Sequence, residues 1–176
     1  MATQTINDVT GVPVETAEET VALEKYLTFF IDSQLYAIPS SQVIEIIRMQ
    51  PITFMPKLPE FVKGVINLRG KVVPLIDMRL KFSKEPVEYV ERTNIIVCEV
   101  DDLSVGLIVD SVNDVSDIAE KDISSIPKFT NDSGNSYISG MVHLETNVAM
   151  ILNMANILAN KDAVELDIPQ TDVDAE

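Results

Sequence analysis

Two stretches of this chain align on each other without a gap: GVINLRGKVVPLIDM at residues 64–78 and GMVHLETNVAMILNM at residues 140–154. Each reads glycine, two apolar residues, a polar residue, leucine, three turn residues, valine, more apolar residues, then Asp or Asn and Met. A second pair precedes them. Tyr36-Ala37-Ile38 through Val43-Ile44-Glu45-Ile46 matches Val105-Gly106-Leu107 through Val112-Asn113-Asp114-Val115. The offset is 76 residues in the first pair, from Gly64 to Gly140, and 69 in the second, from Tyr36 to Val105. The elements keep one order in both halves, so the fold must be built from two copies of one unit.

The unit is made of hairpins. In the first half, residues 26–31 and 35–38 flank Asp32-Ser33-Gln34, followed by 43–48 and a pair of runs around Arg69-Gly70-Lys71. In the second, 94–100 and 104–109 flank Asp101-Asp102, followed by 112–116 and a pair around 145–147. The runs are rich in Val and Ile, which are stiff at χ1 and favour strands. Short strands at this spacing predict small barrels and an all-β fold. Pro39, Pro51, Pro56, Pro59, Pro74, Pro86 and Pro127 are expected at strand ends, bulges and loops, and argue against long helices. Short helices are expected near 78–82 and 154–160. Each half is only roughly 65–70 residues, marginal for independent stability. Two subdomains, about 25–91 and about 92–161, are therefore expected to pack into one cooperative unit with a groove between them.

Charge sets the ends apart. The chain carries −15 overall over 176 residues. Residues 1–24 hold Asp8, Glu15, Glu18, Glu19 and Glu24 and no cation; residues 162–176 hold Asp162, Glu165, Asp167, Asp172, Asp174 and Glu176 and no cation. Both read as acidic tails that bury little surface, with Thr16 and Glu19 spaced as a capping box for a short helix over 17–24. Residues 57–84 reverse the sign, with Lys57, Lys63, Arg69, Lys71, Arg79, Lys81 and Lys84 against Glu60 and Asp77. Such a stripe is a solvated face or a surface for an acidic partner, nucleic acid included. The absence of tryptophan and the acidic tails weigh against nucleic acid. The opening MATQTINDV has no basic or apolar leader region, and no window approaches the ~20 apolar residues of a membrane span. The expected location is cytoplasmic.

Catalysis needs a positioned nucleophile, acid, base, metal or cofactor, and the sequence offers none of the usual signatures. There is no GxGxxG, P-loop, HExxH or GxSxG. Cys98 is alone in an apolar run and reads as a buried thiol; the single His143 cannot build a multi-histidine site. Asp77 and Asp110 end the apolar runs PLID and LIVD, where a turn-capping role is the expected one and a catalytic carboxylate pair the alternative. Arg69 is different. It stands at a hairpin tip between two largely buried strands, where an ordinary solvated turn arginine and a rigidly mounted contact residue are the two readings. Glu45, in VIEII, points to the opposite strand face from Ile44 and Ile46, and Arg69 is the fixed cation nearest in sequence.

The run VIEIIRMQPITFMPKLPEFVKGVINLRGKVVPLIDMRLKF at residues 43–82 resembles the signature region of the CheW family of chemotaxis coupling proteins. VGLIVDSVNDV at 105–115 and YISGMVHLETNVAMILNMANIL at 137–158 are similar to the family's second half, so the resemblance spans about residues 25–158. It implies an all-β fold of two SH3-like five-stranded barrels interlocked around a shared core, no enzymatic activity and no cofactor. It also implies a scaffold that joins the cytoplasmic tips of methyl-accepting chemoreceptors to the regulatory domain of the histidine kinase CheA, recruited to membrane-bound arrays. By position, Glu45 and Arg69 match the family's acid and arginine of the receptor-facing surface, with Val43 and Val72 as apolar neighbours and Asn67 and Gly70 flanking the arginine. The resemblance assigns no kinase-binding residues here. Asn153 and Met154 depart from the family's Asp-containing segment, and the acidic tails have no family counterpart.

Overall fold

The computed structural model describes residues 21–126 and 137–158. Eleven strands run in the order β1 (Leu23–Ile31), β2 (Gln34–Pro39), β3 (Val43–Arg48), β4 (Val62–Leu68), β5 (Lys71–Asp77), β6 (Asn94–Val100), β7 (Leu103–Val109), β8 (Ser111–Ala119), β9 (Ile123–Ser124), β10 (Ile138–His143) and β11 (Val148–Leu152). The helices are α1 (Met78–Lys81) and α2 (Met154–Leu158). The all-β expectation holds, and both short helices lie where they were expected, residues 159 and 160 being outside the described residues. A helix over 17–24 does not fit the described part of that segment, because Leu23 and Glu24 already pair in β1.

The strands form a six-stranded sheet, β8-β1-β2-β11-β10-β9, and a five-stranded sheet, β3-β6-β7-β5-β4. The sheets do not divide where the sequence repeat does. The first repeat lends its β1–β2 hairpin to the sheet of β8–β11, and the second lends β6–β7 to the sheet of β3–β5. Each loan is sealed by one parallel pairing: Leu75 opposite Gly106 in β5–β7, and Ile151 opposite Ala37 in β11–β2. The repeat offsets carry Leu75 onto Ile151 and Gly106 onto Ala37, so these are one contact made twice.

The same correspondence governs the irregularities. The β3–β6 ladder bulges at Ile44 and the β1–β8 ladder at Asn113; β4–β5 bulges at Lys63 and β10–β11 at Ser139. Each bulge has its counterpart at the repeat offset, as expected of a feature that bends a strand to close a small barrel. Gly64 and Gly140, which open the two aligned stretches, share a steric reason. A Cβ on Gly64 would lie 2.2 Å from the Thr53 carbonyl oxygen, and one on Gly140 would lie 3.1 Å from that of Ser124 and 2.6 Å from Ile123 Cγ2. In both repeats another backbone segment crosses there: Thr53 pairs with Val65, and Ser124 with Met141.

Three apolar clusters follow from strand alternation. Leu35, Ala37, Ile118, Val142 and Ile151 fill the six-stranded sheet. Ile66, Val73, Leu75, Ile95, Val97 and Ile108 fill the five-stranded one. The largest cluster lies between them and takes Phe29, Ile31 and Ile38 from one sheet, Ile76, Ile96, Cys98 and Leu107 from the other, and Met154 and Ile157 from α2. Strands such as β6 are buried on both faces, which is why NIIVCEV reads as a continuous apolar run. Burial in this shared core pushes the Cys98 thiol up to about 12.

One sequence expectation is corrected. Pro74 is not at a strand end, bulge or loop but inside β5, opposite Val65. Val65 spends its N–H and C=O on Thr53, at 2.9 and 2.8 Å, so its pairing with Pro74 needs no hydrogen bond from the proline. The parallel ladder to β7 begins one residue later, at Leu75. The missing N–H therefore costs neither ladder a bond.

Candidate protein-binding surface

Three hairpins close through two-residue turns with positive φ at both positions: Asp32-Ser33 (48° and 67°), Arg69-Gly70 (54° and 83°) and Asp101-Asp102 (50° and 63°). Gln34 and Lys71, read from sequence as turn residues, pair with Ile31 and Leu68 and belong to strands. This type I′ geometry matches the twist of the flanking strands and favours Asn, Asp and Gly. Two of the three turns lead with aspartate; the third leads with arginine. Left-handed backbone costs an arginine more than it costs Asn or Gly, so the choice of residue at 69 answers to something other than turn formation. Asn67 supports the turn: its Oδ1 accepts from the Gly70 amide at 2.9 Å.

From that tip the Arg69 guanidinium reaches β3. Its Nη1 donates to Glu45 Oε1 at 2.6 Å and its Nη2 to Glu45 Oε2 at 3.0 Å, a two-point pairing. The hydrogen bond and charge of Glu45 raise the Arg69 pKa, so the cation is permanent. The pair is lopsided in exposure, the arginine side chain 75% exposed and the glutamate 22%. The strand around Glu45 alternates as the sequence implies, with the acid on the inner side. Ile44 and Ile46 face solvent at 51% and 42% exposure, while Glu45 lies on the half-buried face. The bulge at Ile44 sets this aim, and β3 is an edge strand, so the two isoleucines stand on an open rim. Val43 and Val72 are half-buried behind the pair. Of the six residues singled out from the sequence, Asn67, Gly70 and Arg69 share one turn, Glu45 joins them through Arg69, and Val43 and Val72 lie on the adjoining strands. Ile44 and Ile46 were missed as surface residues; an apolar residue at every position of VIEII except the acid was their signal.

The basic stripe does not persist as one surface. Arg79 is nearly buried and donates to Asp110 at 2.8, 3.0 and 2.6 Å. Asp110 also accepts from the Asp32 amide at 2.8 Å, and Lys84 reaches Asp32 at 3.4 Å. Burial alone would push the Asp110 carboxyl up, but the Arg79 hydrogen bonds, the Asp32 amide and the charges of Arg79 and Arg92 outweigh it and hold Asp110 below the usual carboxylate range. Lys81 is buried with its ammonium 3.9 Å from the centre of the Phe61 ring. Lys57, Lys63 and Lys71 remain toward solvent, too few for a track along a phosphate backbone. Asp77 and Asp110 are each engaged in contacts that hold the fold. Asp77 caps α1 through the Arg79 and Leu80 amides and accepts from Tyr89 Oη at 2.7 Å. Among the described residues no group of three or more His, Cys, Asp or Glu could hold a metal ion, and no helix is long and apolar enough to cross a membrane.

The fold has counterparts among known proteins. Residues 25–162 match the family model of the CheW-like domain. The chain is similar to the chemotaxis protein CheW of Klebsiella aerogenes, 33% identical over 151 residues that cover 86% of this chain and 90% of that one. The CheW of Bacillus subtilis is 34% identical over 146 residues, covering 83% and 93%. Among solved structures, the scaffolding protein CheW of Thermoanaerobacter tengcongensis superposes with a TM-score of 0.75 at 29% identity, over 82% of this chain and 99% of that one. The family match over most of the chain and these two relatives agree, and this chain belongs to the CheW family.

Proposed function

We propose that the protein is a non-enzymatic scaffold that couples methyl-accepting chemoreceptors to the histidine kinase CheA, acting in the cytoplasm at membrane-bound receptor arrays. The observation that carries this reading is the Glu45–Arg69 pair on an open edge strand whose opposite face exposes Ile44 and Ile46. A fixed charged pair on an edge strand that also exposes two isoleucines suits recognition of a helical protein tip: apolar contact supplies affinity, and the charges set register and partner choice. Val43, Glu45, Asn67, Arg69, Gly70 and Val72 form the receptor-facing surface. The kinase regulatory domain binds elsewhere, through barrel edges. The names of the relatives and of the structural neighbour, chemotaxis and scaffolding proteins, support the reading.

The test is co-sedimentation of the protein with receptor-containing membranes, with and without the kinase. Sedimentation with receptors alone, and increased kinase recovery when the protein is added, are the expected results. Kinase recovery that is indifferent to the protein would remove the coupling role.

A further inference from the structure

Phe54 carries the most exposed large apolar side chain among the described residues, at 78%. It opens a shallow groove walled by Met55, Leu58 and Val62, with Lys57 and Lys63 beside them. Lys57 is held in left-handed backbone, φ 63°, and Lys63 is the bulged residue of β4, so local backbone irregularity sets both positions. Neither lysine forms an ion pair among the described residues. An occupant that satisfies this groove must be apolar along its length and carry acids within reach of two lysines.

The chain supplies such a segment itself. Val164-Glu165-Leu166-Asp167-Ile168 alternates apolar and acidic residues with a period of two, so an extended backbone lays three apolar side chains on one side and two carboxylates on the other. The flexible lysine stems beside the groove can bend over an extended segment to meet those carboxylates. Leu158, which ends α2, packs against the same core cluster as Phe61, the residue between groove residues Glu60 and Val62. Five residues separate Leu158 from Val164, a reach of up to about 20 Å when extended. We propose that residues 164–168 dock in the Phe54 groove of the same molecule and cover it, so that any partner using this face must first displace them. The acidic residues before β1 are the weaker candidate, since they lack the strict alternation and lead into the other sheet. The proposal does not depend on the receptor and kinase reading.

Zero-length carbodiimide cross-linking of the full chain, with peptide mass spectrometry of the monomer fraction, tests it. Lys57 or Lys63 should be joined to Glu165 or Asp167, with a yield independent of protein concentration. The yield should collapse in the triple variant Val164→Ser, Leu166→Ser, Ile168→Ser and in Phe54→Ser, and both variants should keep the parent's circular dichroism. Absence of these cross-links, their appearance only in cross-linked dimers, links from these lysines to residues 8–24 in their place, or indifference to the serine variants would each overturn the proposal.

Discussion

The guanidinium of Arg69 and the carboxylate of Glu45 meet through two hydrogen bonds of 2.6 and 3.0 Å, although they stand 24 positions apart and no ladder pairs their strands. The arginine comes from a turn closed by the Asn67 side chain, the glutamate from a bulged edge strand, and the pair straps one to the other across the barrel wall. Arg69→Ala should leave the melting temperature close to the parent's, because the arginine is mostly exposed, and weaken receptor co-sedimentation. Arg69→Glu should weaken it further by setting two acids together. Glu45→Arg combined with Arg69→Glu should recover part of the loss. Strictly additive effects in that double-mutant cycle would separate the two residues.

Asp110 links the sheets, since it holds Arg79 from α1 and the amide of Asp32 from the β1–β2 turn. Its folded carboxyl is held below the usual range, so the unfolded chain takes up the proton first as pH falls. The stabilisation is therefore complete above the unfolded carboxylate value of about 4 and is lost as pH drops from there through the lower folded value. Asp110→Asn should lower stability at pH 7 by about 1–3 kcal/mol, the scale of hydrogen bonds to a charged group, toward the low end because the site is partly open to solvent. The deficit should shrink below pH 4. Urea midpoints at pH 7 and pH 3 for parent and variant measure both.

Two glycines separate steric need from conformational need. Gly70, at φ 83°, has nothing within 4 Å of the place a Cβ would occupy, so Gly70→Ala should cost only left-handed strain, about 1–2 kcal/mol. Gly64, at φ 140°, would drive its Cβ to 2.2 Å from the Thr53 carbonyl. Gly64→Ala should cost distinctly more and open the Thr53–Val65 bridge. Denaturant midpoints, together with hydrogen exchange at the Thr53 and Val65 amides, distinguish the two.

A fragment of residues 25–91 should show no cooperative melt. It would keep β3, β4 and β5 but lose β6 and β7, which join β3 to β5 in the five-stranded sheet, and its β1–β2 hairpin would have neither β8 nor β11 beside it. A lone hairpin is marginal in water. A sharp calorimetric transition for this fragment would show that the exchanged strands are dispensable.

Cys98 should react with a thiol reagent only as fast as the whole domain opens. It is fully buried in the core shared by the sheets, and burial lifts its thiol to about 12, so native protein at pH 8 exposes almost no thiolate. Labelling that outpaces global unfolding, measured by hydrogen exchange in the β6 ladder, would contradict this.

The sequence by itself determined the duplication, the all-β class, the approximate strands, both short helices and the arginine at a hairpin tip. These are local or periodic properties: β-branched runs, turn residues between them, and a repeat visible at fixed offsets. It offered Glu45 as a partner for Arg69 beside a plain solvent-facing reading, and the folded structure chose the pair. Tertiary structure alone decided the rest. Whether β1–β2 closes its own sheet or the other copy's depends on the parallel Ala37–Ile151 pairing, a contact 114 residues apart that leaves no periodic trace. Glu45 turns inward and Ile44 and Ile46 outward because a bulge re-aims an edge strand, and alternation alone cannot say which face is the core. The basic run at 57–84 dissolved for the same reason. Its charges are adjacent in sequence, but Arg79 and Lys84 find their acids, Asp110 and Asp32, only once the chain has folded back on itself.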